Sequence, residues 1–323
     1  LMMEVSVAQN VNDVNRFLTT ELNGSARYTS MAGAFGALGG DLTALSFNPA
    51  SSSVFLNSEF GASVNYKNKL TKGTYFGTST NRENDALNLD HFGAVFVFNN
   101  KNTESPWSRV SVGINLHKIA TYDQKAFVNG TNTNGIDQYF EYYADGLDFE
   151  NLPIYDGETV SEVYKILGAE NGFGAQQAFL GYQSYIVNPF NFENGNTEYY
   201  SNVNYNQVNH QLSLNNDGWH RKTSFNISGL YRNIFHVGVN INSHNLKFSS
   251  TQNLLETGQS PKSDTYDIDF KNTLLTLGDG TSVQIGGILR LKNIRFGVTY
   301  DSPQWLTMID ETTQSIDTFH FEE

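Results

Sequence analysis

From Phe55 onward, apolar and polar residues alternate with a period of two, the signature of β-strands whose two faces meet different surroundings. Phe60, Ala62, Val64 and Tyr66 alternate with Gly61, Ser63 and Asn65, and Phe92, Ala94, Phe96 and Phe98 repeat the pattern. Val110, Val112, Ile114 and Leu116 stand against Ser111, Gly113, Asn115 and His117. Further apolar registers run through Phe225, Ile227 and Tyr231, through Phe235, Val237, Val239 and Ile241, through Val283, Ile285, Leu289 and Leu291, and through Ile294, Phe296, Val298 and Tyr300. Arg232-Asn233 and Lys292-Asn293 are tight polar breaks between such runs, which predicts consecutive antiparallel hairpins. Together they predict about eight to ten strands of ~9–11 residues each. Residues 129–196 break the rhythm, and the apolar spacing in 158–167 and 173–186 predicts helices in a long loop. In that loop Phe173, Phe179, Leu180, Tyr182, Tyr185 and Ile186 suit either a greasy capture surface or packing onto the strand rim. A short helix is predicted near Val11 to Thr20.

Before the strands stands a segment of another kind, residues 33–50, GAFGALGGDLTALSFNPA. Its glycines allow close packing and positive φ, Pro49 fixes its own φ, and Asn48 before it is pushed out of the helical region. The expectation is a compact, kinked segment packed inside something larger. A phosphate-cradling loop would need a preceding strand, a following helix and a Gly-Lys-Ser/Thr end, none of which is present.

With Arg27 and Met31 just upstream (SARYTSMAGAFGALGGD), this segment resembles the N-terminal hatch of the long-chain fatty-acid transporter family of the bacterial outer membrane, in the wording found in Bacteroidetes-type bacteria. Residues 295–314, RFGVTYDSPQWLTMIDETTQ, are similar to the part of that family where a strand runs into a Pro-Trp turn. The resemblance implies an all-β fold, a transmembrane antiparallel β-barrel of about 14 strands with the hatch inside its lumen and a partly helical extracellular loop. The expected organisation is a signal-peptide remnant at 1–8, with Ser6-Val7-Ala8 as its cleavage spacing, a hatch at 9–54, and a barrel at 55–323 with the loop at 129–196. The strand count falls short of the family's, and the ending TFHFEE lacks a terminal aromatic residue, so C-terminal strands are expected to be missing from this sequence.

Composition fits this expectation. Mean hydropathy is −0.40, and no run reaches the ~18 apolar residues of a membrane helix. A content of 17 Tyr, 23 Phe and 28 Gly suits a barrel with a polar lumen, and the absence of cysteine excludes a disulfide scaffold and thiol chemistry. The net charge of −13 argues against nucleic acid, whose binding depends on basic contacts to phosphate. Acidic residues between Asp137 and Glu170 and from Asp264 to Asp269 read as solvated loop charge without EF-hand spacing. Seven scattered histidines give no metal or haem motif, and no Gly-x-Ser-x-Gly elbow is present, so neither cofactor nor enzyme is expected.

If the apolar registers face lipid, then His91, Arg109, His117, Arg232, His236, Arg290 and Arg295 face the lumen. They would either attract an anionic headgroup or fill a wet interior as polar residues of any kind would. The resemblance places hatch and gating residues at Asn48, Pro49 and Ala50. Phe35, Leu38, Phe47, His117 and Arg232 are the candidate ligand contacts. The function it implies is passive uptake of hydrophobic small molecules such as fatty acids by a monomer in the outer membrane, among its lipids and lipopolysaccharide. A secretion-accessory (type IX-like) or structural barrel of the same superfamily is the alternative. A lipid hydrolase would need a serine-histidine pair on the outer wall.

Overall fold

In the computed structural model, which describes residues 11–320, the strands form a large curled antiparallel sheet, a half-barrel. The expected signal remnant at 1–8 lies outside the described residues. The chain opens with two helices, α1 (Val11–Leu18) and α2 (Ala26–Ser30), and two 3-10 turns, Thr43–Ser46 and Pro49–Val54. The hairpin of β1 (Glu59–Tyr75) and β2 (Thr78–Asn99) follows, turning at Phe76-Gly77 with both φ positive, and then β3 (Trp107–Thr121) and β4 (Gln124–Asn132). The insert carries α3 (Asp137–Ala144), α4 (Val160–Glu170), α5 (Phe173–Gln183) and the small hairpin β5 (Val187–Pro189) with β6 (Tyr199–Ser201). The sheet resumes with β7 (Val208–Tyr231), β8 (Phe235–Thr257), β9 (Thr265–Arg290), β10 (Arg295–Asp301) and β11 (Trp305–His320).

The sheet order is β1-β2-β3-β7-β8-β9-β10, with β4 continuing the β3 row along β7 and β11 continuing the β10 row along β9. The sheet has nine strands among the described residues, within the eight to ten expected, and they make seven long rows because β4 and β11 each extend the row of another strand. The meander follows from its turns. Arg232 and Asn233 have φ of +49° and +59°, and the Ile234 amide closes this tight turn on the Tyr231 carbonyl at 3.1 Å, just before Phe235 pairs with Tyr231.

The two faces differ as the alternation requires. Phe60, Val112, Phe225, Ile241 and Val298 are exposed, whereas Ser111, Asn115, Ser224, Asn240 and Gln284 on the opposite face are buried. Farther from the tight turns, the outward register turns polar through Arg221, Asn245, Lys247 and Asp279. The apolar band is therefore continuous nearest the Arg232-Asn233 and Lys292-Asn293 turns, with Leu70, Leu87, Leu277 and Ile309 exposed farther out.

The insert builds its own apolar core. Phe140, Phe149, Leu152, Leu167, Phe179 and Ile186 pack together and onto Ile268 and Phe270 of β9. Phe179, Leu180 and Ile186 are therefore packing residues, while Phe173 and Tyr185 stay exposed. The two predicted helices are present, and α4 starts at a capping box in which Thr159 and Glu162 exchange hydrogen bonds. α3 carries no apolar repeat strong enough to announce it.

The insert is held at its start by one carboxylate. Glu256 Oε2 accepts the Ile136 amide at 2.7 Å and bonds His210 Nε2 at 2.8 Å, and the other ring nitrogen of His210 meets the Tyr75 hydroxyl at 2.8 Å. Glu256 is fully buried, so its loss leaves a buried amide without a partner. Replacing Glu256 by alanine is expected to loosen the insert by about 2–4 kcal/mol. Limited proteolysis within 133–207 would speed up while the β-sheet signal in circular dichroism stays constant.

Candidate functional site

The buried face of the sheet is lined by the N-terminal segment. Phe17 of α1 packs with Leu246 and Phe248, the Glu21 amide donates to the Ile119 carbonyl at 2.8 Å, and every residue from Asp41 to Ser53 except Phe47 is buried. The segment also bonds to itself. Ser25 caps α2 by accepting the Tyr28 amide, its hydroxyl donates to Asp41 at 2.7 Å, and Asp41 accepts the Thr43 amide at 2.9 Å. Tyr28 stacks on Phe47 with centroids 5.0 Å apart, and burial together with the nearby Asp41 carboxylate pushes its phenol up to about 12.

Asn48, Pro49 and Ala50 form the tightest contact with the sheet. Asn48 is extended, as a residue before proline should be, and its Oδ1 accepts the Ala50 amide at 3.0 Å, which starts the second 3-10 turn. Its Nδ2 donates to the Gly36 carbonyl at 2.7 Å and to the Gly287 carbonyl of β9 at 3.3 Å. Glycines on adjacent strands make room for this turn. Gly238 of β8 faces Gly286 of β9 in register. A methyl group on Gly238 would strike the Pro49 carbonyl, and one on Gly286 would strike Asn48 Oδ1. On β10, a methyl at Gly297 would strike the Gly36 carbonyl. The strand backbones come too close to the turn for any side chain to stand between them.

Beside the glycines runs a row of amides. Asn226, Asn240 and Gln284 are register neighbours on β7, β8 and β9. Asn226 Nδ2 donates to Asn240 Oδ1 at 2.7 Å and to the Pro49 carbonyl at 2.9 Å. Asn240 Nδ2 donates to Gln284 Oε1 at 2.9 Å and to the Leu45 carbonyl at 2.7 Å, and Gln284 Nε2 donates to the Ser46 carbonyl at 3.1 Å. The first 3-10 turn ends at Leu45 and Ser46, and the sheet supplies donors to both of these carbonyls.

The expected lumen cations meet the same segment. His117 Nε2 donates to the Asn23 carbonyl at 3.1 Å, His236 bonds the Ser53 hydroxyl at 2.8 Å, Arg109 donates to the Ser53 carbonyl at 3.0 Å, and Arg295 donates to the Leu38 carbonyl at 2.8 Å. Three of the seven expected groups thus donate to backbone carbonyls of the segment and His236 bonds one of its hydroxyls, which is a physical reason for their presence other than an anionic ligand.

A cavity of about 430 Å³ lies between the Tyr28 and Phe47 part of the segment and the sheet. Its walls include Leu22, Tyr28, Phe47, His117, Ile119 and Lys222. Of the candidate ligand contacts, Phe47 and His117 line it, their rings in edge contact at 5.3 Å. Phe35 does not, because it is fully buried in a small cluster with Tyr28 and Ala44, against which Leu38 packs. Arg232 is a correction. It lies exposed in the β7–β8 turn, where the tight positive-φ geometry takes its side chain out of the strand alternation, and Arg290 is exposed at the same end.

Lys222, Gln284 and the amide row were not anticipated. Lys222 Nζ donates to the Ser46 carbonyl at 2.6 Å and lies 5.8 Å from the Phe47 ring centre, at the cavity wall. Extending the Phe225–Ile227 alternation backward would have put Lys222 inward with Ser224 and Asn226. The cavity thus joins aromatic and aliphatic surface to the Lys222 ammonium group and the Glu21 and Asp301 carboxylates, so an apolar chain can rest on one part of its wall while polar groups line the rest. No family model matches the chain, no curated protein is significantly similar to it, and no solved structure matches its fold.

Proposed function

We propose that the chain is a monomeric outer-membrane protein for passive uptake of hydrophobic compounds such as long-chain fatty acids, with residues 9–54 as the hatch of a transmembrane barrel. The observation that carries this reading is the cavity of about 430 Å³ between the N-terminal segment and the inner face of the sheet. Its size falls within the ~300–1,000 Å³ typical of small-molecule sites. An outward apolar band, with Trp107, Tyr231 and Phe235 at its tight-turn end, gives lipid a surface to contact. The ligand enters from the insert side, rests against Phe47, and leaves sideways into the bilayer once the hatch shifts. Staying out of water favours that route by ~0.8 kcal/mol for each methylene kept buried.

The test is uptake of labelled oleate by a strain lacking the protein and complemented with full-length wild type or Phe47→Asp. A carboxylate in the aromatic half of the cavity should cut uptake about tenfold, a change of ~1.4 kcal/mol in ligand occupancy, at an unchanged level of protein in the outer membrane. Equal uptake by the deletion strain and the wild type would remove the uptake reading and leave the secretion-accessory one.

A further inference from the structure

Arg232, absent from the inner cavity, stands at a different feature. Its amide donates to the Pro106 carbonyl at 2.7 Å, which binds the β7–β8 turn to the neighbouring β2–β3 turn. Its guanidinium lies 5.4 Å over the ring of Tyr231, and that ring is in edge contact with Trp107 at 5.2 Å. Tyr231 and Trp107 face each other in register and belong to the outward side of the sheet. The charge therefore sits on the outer surface, linked through the Tyr231 ring to Trp107, which with Val110, Ile227, Gly229, Val237 and Val239 lines an apolar groove of about 400 Å³. The groove exists because Gly229 is bare. A Cβ there would come within 2.7 Å of the Trp107 ring.

The surroundings of the groove select the sign of what fills it. Lys101, Arg232, Arg290 and Lys292 are exposed at this end of the sheet, against Glu59 and Glu104, in a chain whose net charge is −13. An open apolar groove with a guanidinium near it, stacked on an aromatic ring, matches an acyl chain that ends in a phosphate. We infer that this groove binds an anionic glycerophospholipid of the periplasmic leaflet, its acyl chain against Trp107 and Gly229 and its phosphate at Arg232. The inference rests on the membrane reading above, with the tight turns on the periplasmic side.

It is tested with the full-length protein in phosphatidylcholine vesicles, every tryptophan but Trp107 replaced by phenylalanine, by titrating in brominated phosphatidylglycerol or brominated phosphatidylcholine and following Trp107 fluorescence. Brominated phosphatidylglycerol should quench at about one-fifth the mole fraction that brominated phosphatidylcholine requires. Arg232→Gln should bring the two curves together, and Arg232→Lys should keep them apart. Arg295→Gln, whose guanidinium is engaged by the Leu38 carbonyl on the other face, should also leave the gap intact. Coincident curves in the parent protein, or an undiminished gap in Arg232→Gln, would overturn the lipid site. No quenching by either lipid would instead overturn the membrane reading itself.

Discussion

Gly286→Val will unseat the Asn48-Pro49-Ala50 turn. A methyl group at that position already meets Asn48 Oδ1, and Pro49 Cδ lies 2.7 Å away, so the two further methyls of valine have no free volume on the buried face. β9 cannot retreat, because it is hydrogen-bonded to β8 on one side and to β10 and β11 on the other. The N-terminal segment must move instead. Overpacking of this kind costs about 1–3 kcal/mol, and the loss of the Asn48 bonds to Gly36 and Gly287 adds about 1 kcal/mol for each bond. The expected result is rapid protease cleavage within 33–53 in a protein whose strand content is unchanged. The same change at Gly287, whose added Cβ would approach no closer than 3.4 Å to the Phe235 ring, should leave the segment protected. Protection of both variants alike would mean that the glycine row is not what seats the turn.

Asn240→Leu should have an effect of similar size by a different route. Asn240 takes part in three hydrogen bonds at once, accepting from Asn226 and donating to Leu45 and Gln284, and it is fully buried. Leucine is close in size, so the damage is electrostatic, with the Leu45 carbonyl, Gln284 Oε1 and one Asn226 proton losing partners where water does not reach. At about 1–2 kcal/mol for each buried group left unpaired, the segment should lose about 3–6 kcal/mol of its hold on the sheet. Hydrogen exchange at the amides of residues 43–54 would report the loss directly. Asn245→Leu, on the same strand but on the outward polar register, is the matched control and should leave that exchange unchanged.

Much of the strand layout could be read in advance because period two is a local property. Phe60 to Tyr66, Val110 to Leu116 and Phe235 to Ile241 each show their outward face within seven residues, and their exposure follows the reading. The turn at Arg232-Asn233 was legible for the same reason, but the position of the Arg232 side chain was not. Strand alternation stops where φ turns positive, and only the coordinates show the guanidinium on Tyr231. In the insert, helices α4 and α5 were visible as apolar spacing, whereas the choice between capture surface and core depended on Ile268 and Phe270 of β9, about a hundred residues away in the chain.

Asn48-Pro49-Ala50 divides along the same line. The sequence alone determined that the chain kinks there, since proline restricts its own φ and the residue before it whatever the surroundings. It likewise determined which residues share a face of each strand, and so that one face would be apolar and the other polar. The tertiary structure alone decided what the inner face is for. Gly238, Gly286 and Gly297, and likewise Asn226, Asn240 and Gln284, are scattered over 72 residues and become rows only when β7 to β10 pair in register. Their partners lie some 180 to 260 residues earlier, at Gly36, Leu45, Ser46 and Pro49. Contacts at that separation leave no periodic trace in a single chain, because each depends on strand register and close backbone approach rather than on neighbouring residues.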